Sequence, residues 1–439
     1  MNKQNFIWNS IAGLINAAEA VVMSMIVTRV TNLADAGILT IAFAVGNLLI
    51  CVGKFGVRNF QVTDTQNEYD YPIYMGERMI TTAVMIIFAF IYMIYKHIYA
   101  GDSLYKVGSV GAICVIYAIE SIEDVFWGEY QRRRRLDIGA KLFIVRWSAI
   151  LVSFLVVLLI SHNLLITLWI CVLISLIVFI VASLLSEYIF NKDSGDYIWK
   201  SIDSDRMRET DNVTVDTSAC TINLWHARFD FSRLRTLSVS VFPLFVVAFL
   251  AFYINNSAKY ALDAVVSSEV QACYGFVAMP VFVIGLLNSM IFQPSVVWLA
   301  EQWNSGNIYL FKRKVLRQCG IILLISGVCV VGAAAIGIPV LSILYNTDLT
   351  DYWLELVVLQ VAGMFLAVEG YFSVVLTIMR EQRGLMYGYI GLAIVALFGM
   401  RYAAGAHGTL GVAVMYLICM AVLCIVYAVF YYKRIYDRD

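Results

Sequence analysis

Charged side chains lie inside stretches of the chain that are otherwise apolar, and they are densest in the run ESIEDVFWGEYQRRRRLDIGAKLFIVRW, residues 120–147. Glu120, Asp124 and Arg146 each fall within a stretch long enough to cross a membrane. A charge at the centre of a membrane helix costs about 2.5–3.5 kcal/mol on insertion scales, so it is expected to face protein or a water-filled cavity. We therefore predict that this hairpin lines a path for a polar molecule.

A stripe of basic and amide side chains follows an earlier segment, and its members are Asn47, Lys54, Arg58 and Gln61. Their spacing of 7, 4 and 3 residues places them on one face of a helix. Two stacked cations suit a phosphate or pyrophosphate group. The alternative is that Lys54 and Arg58 extend to the lipid head groups at the helix end.

Isolated acids mark two further segments, because Glu19 and Glu369 each stand alone in an apolar stretch. A carboxylate inside a membrane helix is a functional candidate by default. With Glu120 and Asp124, these two acids are the candidates for gating or for a coupling H+ or Na+. Two interpretations of Arg146 stay open: it pairs with Glu123 or Asp124 to hold the hairpin, or it faces the cavity as a cation.

Further polar side chains fall at the opposite ends of the segments. Arg29 either binds an anion, which makes it a fourth pyrophosphate candidate beside Lys54, Arg58 and Arg146, or reaches the head groups. Asn255, Lys259 and Tyr260 form a cluster that suits sugar hydroxyls or an interfacial belt. The predicted sugar or outer-rim contacts are Asn47, Gln61, Asn255, Lys259 and Tyr260.

The composition excludes a soluble protein. Of 439 residues, 61% are hydrophobic and 14% are charged, whereas a soluble domain carries roughly 25% charged residues. The zero net charge argues against a nucleic-acid partner. Nine cysteines without a CxxC pair and four histidines near segment ends predict no metal site. No nucleophile–base pair or nucleotide-binding loop is present, so we expect no enzyme and no cofactor beyond a coupling ion.

Twelve segments approach the length of about 20 residues that a membrane span needs: 6–28, 36–57, 77–98, 104–131, 141–160, 164–190, 236–256, 270–300, 315–336, 352–379, 384–403 and 409–432. The polar stretch 191–235 divides them six and six. We predict an all-α fold of two six-helix bundles, residues 1–190 and 236–439, joined by a loop at 191–235. Equal halves of this kind indicate an internal duplication, as in many transporters.

The basic residues predict the orientation. The chain has 31 Lys and Arg. Lys54 and Arg146 lie within spans, and the five on the predicted outer side are Arg29, Lys96, Lys106, Lys259 and Arg401. The other 24 lie on the side of the loop at 191–235, so that side, with both termini, is predicted to be cytoplasmic. Pro243, Pro280 and Pro294 fall in the seventh and eighth segments and should kink or break them.

Three stretches together resemble the polysaccharide flippases of the O-antigen and capsule type, in the multidrug/oligosaccharidyl-lipid/polysaccharide (MOP) transporter superfamily. They are GKFGVRNFQVTD (53–64), DVFWGEYQRRRRLDIGAK with the later arginine (124–146), and NNSAKYALD with SSEVQACYGFVAMPVFVIGLLNSMIFQP (255–294). The residues that match the family pattern by position are Arg58, Asp124, Gln131, Arg146, Lys259 and Tyr260.

The resemblance implies two bundles around a central cationic cavity in the bacterial cytoplasmic membrane. It implies alternating access that carries undecaprenyl-pyrophosphate-linked oligosaccharide to the outer leaflet for surface polysaccharide. The expected partners are this lipid-linked sugar, the bilayer and other polysaccharide assembly proteins.

The sequence leaves two alternative functions. A multidrug or organic-cation antiporter of the same superfamily needs an acidic cavity. A membrane polysaccharide polymerase or ligase needs a large external loop with catalytic residues, and the one large loop is predicted to be cytoplasmic.

Overall fold

A computed structural model describes residues 3–64, 68–133, 135–206, 223–292 and 295–438. These residues form helices and connecting turns, without a strand. The helices of the first half are α1 (Lys3–Val30), α2 (Leu33–Lys54), α3 (Val57–Thr63), α4 (Tyr71–Ile98), α5 (Leu104–Arg132), α6 (Leu136–Ser161) and α7 (Leu164–Arg206). Those of the second half are α8 (Phe231–Leu262), α9 (Ser268–Ala278), α10 (Pro280–Phe292), α11 (Val296–Asn304), α12 (Ile308–Gly332), α13 (Ile338–Tyr345), α14 (Trp353–Ile378) and α15 (Gln382–Tyr436).

The number of membrane spans follows from these helices. Ten stretches of the described chain are helical, long and apolar enough to cross a membrane. Helix α5 adds an eleventh span, because its 29 residues are enough to cross a membrane although several of them are charged. Helix α15 contains two spans, because Gly408 (φ 57°, ψ −136°) interrupts it with a backbone conformation that glycine tolerates. The described residues thus hold the twelve spans predicted, and the protein is a multi-pass membrane protein.

The second span ends earlier than predicted. Phe55 (φ 46°) and Gly56 (φ 73°) are both left-handed, so α2 stops at Lys54 and the short helix α3 begins at Val57. A Cβ on Gly56 would lie 3.0 Å from Leu244. Lys54 and Arg58 therefore lie on two successive helices rather than on one continuous stripe.

Helix α5 is the centre of the first half, where it packs against α2, α4 and α7, while α1 and α7 pack against α6. Helix α14 has the corresponding place in the second half, between α10, α12 and α15. We call the end that carries Arg132, Arg133 and Arg135 the basic end, which is predicted to be cytoplasmic. The end that carries Arg29, Lys96 and Arg401 is called the opposite end.

Helix α8 passes from one half to the other. Leu234 and Val241 of its first part are buried in a cluster with first-half residues, whereas Ile254 and Ala258 belong to the larger core that includes α15. Pro243 lies between these parts. The interval at 191–235 is also partly helical, because α7 continues to Arg206 and α8 begins at Phe231. The division into two bundles at these boundaries stays a prediction.

The segment before α8 packs on the first half. Trp225 lies 5.4 Å from Phe126 and 5.6 Å from Phe179, centroid to centroid, and Leu224 is buried beside it. Residues 223–230 are not helical.

The two halves approach each other closely at the opposite end. A Cβ on Gly37 of α2 would clash with the backbone oxygen of Ser268 in α9, and one on Gly275 would lie 2.6 Å from Thr40. Only glycine permits this approach of α2 and α9. After the break at Pro280, α10 packs mainly against α14. The predicted interruption at Pro280 is therefore present, and it turns the eighth span away from α2.

Candidate functional site

A cavity of about 220 Å³ lies between α1, α2, α3, α5 and α6 in the first half. Its polar lining is Asn9, Asn16, Lys54, Arg58, Glu120, Glu123, Asp124 and Trp127. We call it the charged cavity. The predicted charges of the second and fourth spans thus meet on one surface, whereas Asn9, Asn16 and Trp127 were not predicted. The asparagines recur seven residues apart on α1, a helical spacing that could have indicated them.

Helix α5 supplies the acids of the cavity. Glu120, Glu123, Asp124 and Trp127 follow the spacing i, i+3, i+4, i+7, which places them on one face of the helix. Most of α5 is buried against its neighbours. Its carboxylates therefore need partners within the protein, because an unpaired buried charge is costly.

Lys54 is the first cation of the cavity. Its Nζ lies 3.0 Å from Oε1 of Glu120, and 34% of its side-chain surface is exposed. The other carboxylate oxygen of Glu120 accepts a hydrogen bond from Nε1 of Trp147 at 3.4 Å. Lys54 is thus paired and still accessible from the cavity.

Arg58 is the second cation, and three groups orient it. Its NH1 lies 3.3 Å from Oδ1 of Asp124 and its NH2 donates to Oε1 of Gln131 at 3.0 Å. Its guanidinium carbon lies 4.9 Å from the ring centroid of Trp127, within the range of a cation–π contact. With 27% of its side-chain surface exposed, Arg58 presents a preorganised guanidinium to the cavity.

Arg78 is a partner that the sequence did not indicate. Its NH2 lies 2.9 Å from Oδ2 of Asp124, its NH1 donates to the Gly53 carbonyl at 2.8 Å, and its side chain is 0% exposed. The predicted third span began at residue 77, which placed Arg78 at a helix end. Helix α4 begins at Tyr71 and carries Arg78 into the packed interior instead.

Arg146 does not line the charged cavity. Its side chain is 0% exposed, and its NH2 lies 2.6 Å from Oε2 of Glu123 and 3.5 Å from Oε2 of Glu120. Of the two interpretations, the ion pair that holds the hairpin is the one present, with Glu123 as the partner. The prediction that Arg146 contacts a pyrophosphate directly does not fit this burial. Arg146 can act on the cavity only through the two glutamates.

Glu19 is buried one layer behind the ion pairs. Tyr117 donates to its Oε1 at 2.9 Å, and its Oε2 has no hydrogen-bond partner in the part of the chain that the structure describes. Lys54, Arg58, Arg78 and Arg146 face Glu120, Glu123 and Asp124. We call these seven side chains and Glu19 the cluster. Taken together, the eight are formally neutral when Glu19 is ionised and carry one positive charge when Glu19 is protonated.

Two predicted sugar contacts lie outside this cavity. Gln61 is buried, and its Nε2 donates to the Val125 carbonyl at 3.4 Å. Its amide also fills the space beside Gly128, so it cannot reach a sugar. Asn47 is half-buried on α2 and does not line the charged cavity.

The remaining predicted contacts lie at the opposite end. NH2 of Arg29 donates to the Ile343 carbonyl of α13 at 2.9 Å and so links the two halves. Arg29 is therefore remote from the charged cavity. Lys259 donates to Asn256 at 3.2 Å, and Asn255 accepts a hydrogen bond from Tyr416 at 3.2 Å.

Tyr260 lines a second cavity, of about 550 Å³, at the opposite end. Its hydroxyl donates to the Ala44 carbonyl at 2.7 Å, so its ring is fixed between the halves. The roles of Asn255, Lys259 and Tyr260 as outer-rim contacts stay a prediction.

Glu369 belongs to the second half, on α14. It is buried and accepts a hydrogen bond from the Tyr389 hydroxyl at 2.8 Å. None of the ion pairs between described residues includes it. Glu369 is thus separate from the charged cavity and keeps its place as a candidate for a coupling ion. The described residues contain no group of three or more His, Cys, Asp or Glu that could hold a metal.

No protein-family model and no curated protein matches the sequence. Solved structures match its fold over nearly the whole chain. The inward-facing conformation of a multidrug resistance MATE family transporter of the MOP superfamily is 14% identical, covers 97% of this chain and 95% of its own, and has a TM-score of 0.69. The outward-facing conformation of a multidrug resistance MATE family transporter of the MOP superfamily is 13% identical, covers 97% of this chain and 96% of its own, and has a TM-score of 0.53.

The Vibrio cholerae MATE transporter VcmN in the bent form is 12% identical, covers 99% of this chain and 97% of its own, and has a TM-score of 0.54. At these identities the likeness establishes the fold, which is that of MATE transporters of the MOP superfamily. The predicted fold class is confirmed. Of the two conformations compared, the chain is more similar to the inward-facing one.

Proposed function

We propose that this protein is a flippase that moves an undecaprenyl-pyrophosphate-linked oligosaccharide across the bacterial cytoplasmic membrane for surface polysaccharide biosynthesis. Lys54 and Arg58 would bind the pyrophosphate in the charged cavity, while the polyprenyl chain stays in the bilayer. One observation carries the proposal: each of these cations shares its carboxylate with a buried arginine. Other polysaccharide assembly proteins would supply and remove the substrate.

The shared carboxylates allow the cations to change partner. When Arg58 turns to a phosphate oxygen, Asp124 keeps its ion pair with Arg78 at 2.9 Å. When Lys54 turns, Glu120 keeps Trp147 and the more distant Arg146. No carboxylate is then left buried without a partner, which would cost several kcal/mol. A diphosphate can therefore replace Glu120 and Asp124 as the partner of Lys54 and Arg58 at a low cost in free energy.

Glu19 is the favoured site for a coupling proton, among the candidates Glu19, Glu120, Asp124 and Glu369. Glu120 and Asp124 are held in ion pairs, whereas one oxygen of Glu19 has no partner in the described part of the chain. Protonation of Glu19 gives the cluster one net positive charge, which favours a diphosphate. Loss of the proton removes that charge and favours release.

The fold supports alternating access between two conformations. The matched structures include an inward-facing and an outward-facing conformation of MATE family transporters. In this chain the two halves are in close contact at the opposite end, through Gly37 and Ser268 and through Arg29 and Ile343. With the basic end and both termini in the cytoplasm, as the basic residues predict, this is the form that receives the lipid-linked sugar.

A multidrug or organic-cation antiporter is the second candidate. Glu120, Glu123 and Asp124 all line the charged cavity. The matched inward-facing and outward-facing structures are also of multidrug resistance MATE family transporters. An organic cation would have to displace Lys54 or Arg58 from these acids, which leaves the displaced cation without its carboxylate partner. The arrangement is therefore better suited to an anion.

Reconstitution into liposomes tests the proposal. A lectin outside the liposome reports the arrival of lipid-linked oligosaccharide, and the efflux of a fluorescent organic cation is measured in parallel. We expect the purified protein to move the sugar and not the cation. Movement of the cation with no movement of the sugar would establish the antiporter instead.

A further inference from the structure

Four charged side chains form a cluster at the opposite end, far from the charged cavity. Asp263 accepts from both lysines, with Nζ of Lys96 at 2.7 Å and Nζ of Lys106 at 2.6 Å. Asp102 lies 3.0 Å from Lys96 and 3.2 Å from Lys106. Only 6% of the Asp263 side chain is exposed, so little water weakens these ion pairs.

The cluster joins the two halves of the chain. Lys96 lies in the last turn of α4, Lys106 lies in the first turn of α5, and Asp102 lies in the turn between the two helices. Asp263 follows α8, whose second part packs against α15 through the hydrogen bond from Tyr416 to Asn255. One carboxylate from the second half, Asp263, thus pairs with both lysines of the first half and shares them with Asp102.

A cavity of about 550 Å³ lies beside this cluster, and we call it the opposite-end cavity. Lys96, Asp102 and Asp263 form one wall. The rings of Tyr92, Tyr95, Tyr253 and Tyr260 line other parts of it. Flat aromatic walls with a few charged groups are typical of ligand-binding cavities, and tyrosine offers a ring face and a hydroxyl to a sugar.

Arg401 also faces the opposite-end cavity, from α15. It has neither an ion pair nor a hydrogen bond with any residue that the structure describes. A guanidinium is a strong donor to phosphate oxygens. The cavity therefore has one uncommitted cation, Arg401, and beside it two lysines whose counter-charges are Asp102 of the first half and Asp263 of the second.

We propose that the opposite-end cavity is a second binding site, for a phosphate-bearing sugar head group, and that the Asp263 carboxylate occupies the phosphate position while the halves are closed. If Asp263 withdraws with the second half, Lys96 and Lys106 retain only Asp102 as a counter-charge. A phosphate oxygen can then take the place of the carboxylate. That this cavity binds phosphate does not depend on the proposed function. That the cavity is the exit site of a lipid-linked glycan rests on the proposed function.

Competition between phosphate and Asp263 couples binding to opening. A ligand that binds one conformation better shifts the equilibrium toward it. A head group that reaches Lys96 and Lys106 would thus favour separation of the halves at the opposite end. Reformation of the Asp263 ion pairs would then expel it.

Calorimetric titration with inorganic pyrophosphate tests the site. The full-length protein is placed in phosphatidylcholine nanodiscs with Lys54→Gln and Arg58→Gln, so that the charged cavity is silenced. Asp263→Asn is added in one sample and Asp348→Asn, an exposed acid at the same end, in the matched control. We expect Asp263→Asn to tighten binding at least about fivefold, the lower bound of a typical coupling, and Asp348→Asn to leave it unchanged.

Two additional variants locate the effect. Lys96→Gln should abolish the gain that Asp263→Asn produces, and Asp263→Glu should bind as weakly as the parent. Equal affinity of the Asp263→Asn sample and its control, or a gain that survives Lys96→Gln, would overturn the proposal. Should Asp263→Asn not fold, Arg401→Gln is added instead to the protein with Lys54→Gln and Arg58→Gln. It must weaken pyrophosphate binding there, and unchanged binding would overturn the proposal equally.

The source of the phosphate is found by adding phosphatidylglycerol to the nanodiscs. Competition with pyrophosphate assigns the site to head groups within the bilayer, and its absence assigns it to a more water-exposed diphosphate. Because Lys54 and Arg58 are already silenced in this assay, its failure leaves the proposed function untouched. Conversely, failure of the sugar to move in liposomes leaves the pyrophosphate result standing.

Discussion

Asp124 accepts an ion pair from Arg58 at one carboxylate oxygen and from Arg78 at the other, at 3.3 and 2.9 Å. The first arginine faces the charged cavity and the second is buried. Glu120 has a similar place between Lys54 and the more distant Arg146. Each of these two carboxylates thus lies between one accessible cation and one buried cation. Substitution of the accessible cations should have a different effect from substitution of the buried ones.

Removal of an accessible cation should impair transport and preserve the fold. For Arg58→Ala and for Lys54→Ala we expect the rate of sugar movement to fall roughly 10- to 100-fold, the loss of one charged hydrogen bond of about 1.5–3 kcal/mol. The stability should change by less than about 1 kcal/mol, as for exposed ion pairs. Arg313→Ala, an exposed cation at the same end, is the matched control. Normal transport in both cavity variants would refute the anion site.

Removal of a buried cation should destabilise the protein. Arg146→Met leaves Glu123 without its partner at 2.6 Å, and breaking a buried pair in this way costs about 3–5 kcal/mol. Thermal unfolding in detergent measures the loss. The double variant Arg146→Met with Glu123→Leu should recover most of it, because a buried pair can be replaced by apolar side chains. A single variant as stable as the parent would mean that the pair is not structural.

Asp124→Asn should be more damaging than Arg58→Ala, although both remove the same ion pair. The asparagine leaves the buried Arg78 without its ion-pair partner, whereas Arg58→Ala leaves the Asp124–Arg78 pair intact. We expect little folded Asp124→Asn protein by size-exclusion chromatography of the solubilised membrane fraction. Well-folded Asp124→Asn protein without transport would instead indicate a direct role for the carboxylate in transport.

Glu19→Gln should uncouple transport from the proton gradient. A glutamine at position 19 neither gains nor loses a proton, so the cluster keeps the positive charge that favours binding, and the sugar should bind but be released slowly. We expect a slower rate in liposomes that no longer changes when a pH gradient is imposed. If Glu19→Gln responds to the gradient as the parent does and Glu369→Gln does not, the coupling ion binds in the second half.

The sequence predicted the elements that depend on composition and spacing. The twelve spans follow from apolar length, and the acids of α5 meet in the charged cavity because their spacing places them on one helix face. The interruption at Pro280 followed from the missing amide hydrogen of proline. Each of these features is local, so the residues within one segment are enough to indicate it.

Other features depend on contacts between distant segments. The Phe55–Gly56 turn separates Lys54 from Arg58, yet GKFGVR reads as the end of a continuous helix. Arg78 was counted among loop cations because the apolar run begins after α4 does. Asp263 lies 167 residues from Lys96, and no spacing within either segment relates them. Such ion pairs are determined by how the halves pack.

The most direct test of the central claim is the affinity of the purified protein for a short-chain prenyl-pyrophosphate-linked oligosaccharide, measured by calorimetry in nanodiscs. We predict that the parent binds it, that the prenyl monophosphate analogue binds more weakly, and that the variant Lys54→Gln with Arg58→Gln shows no measurable binding at the charged cavity while it stays folded. A folded double variant that binds the pyrophosphate-linked sugar as tightly as the parent would contradict the claim.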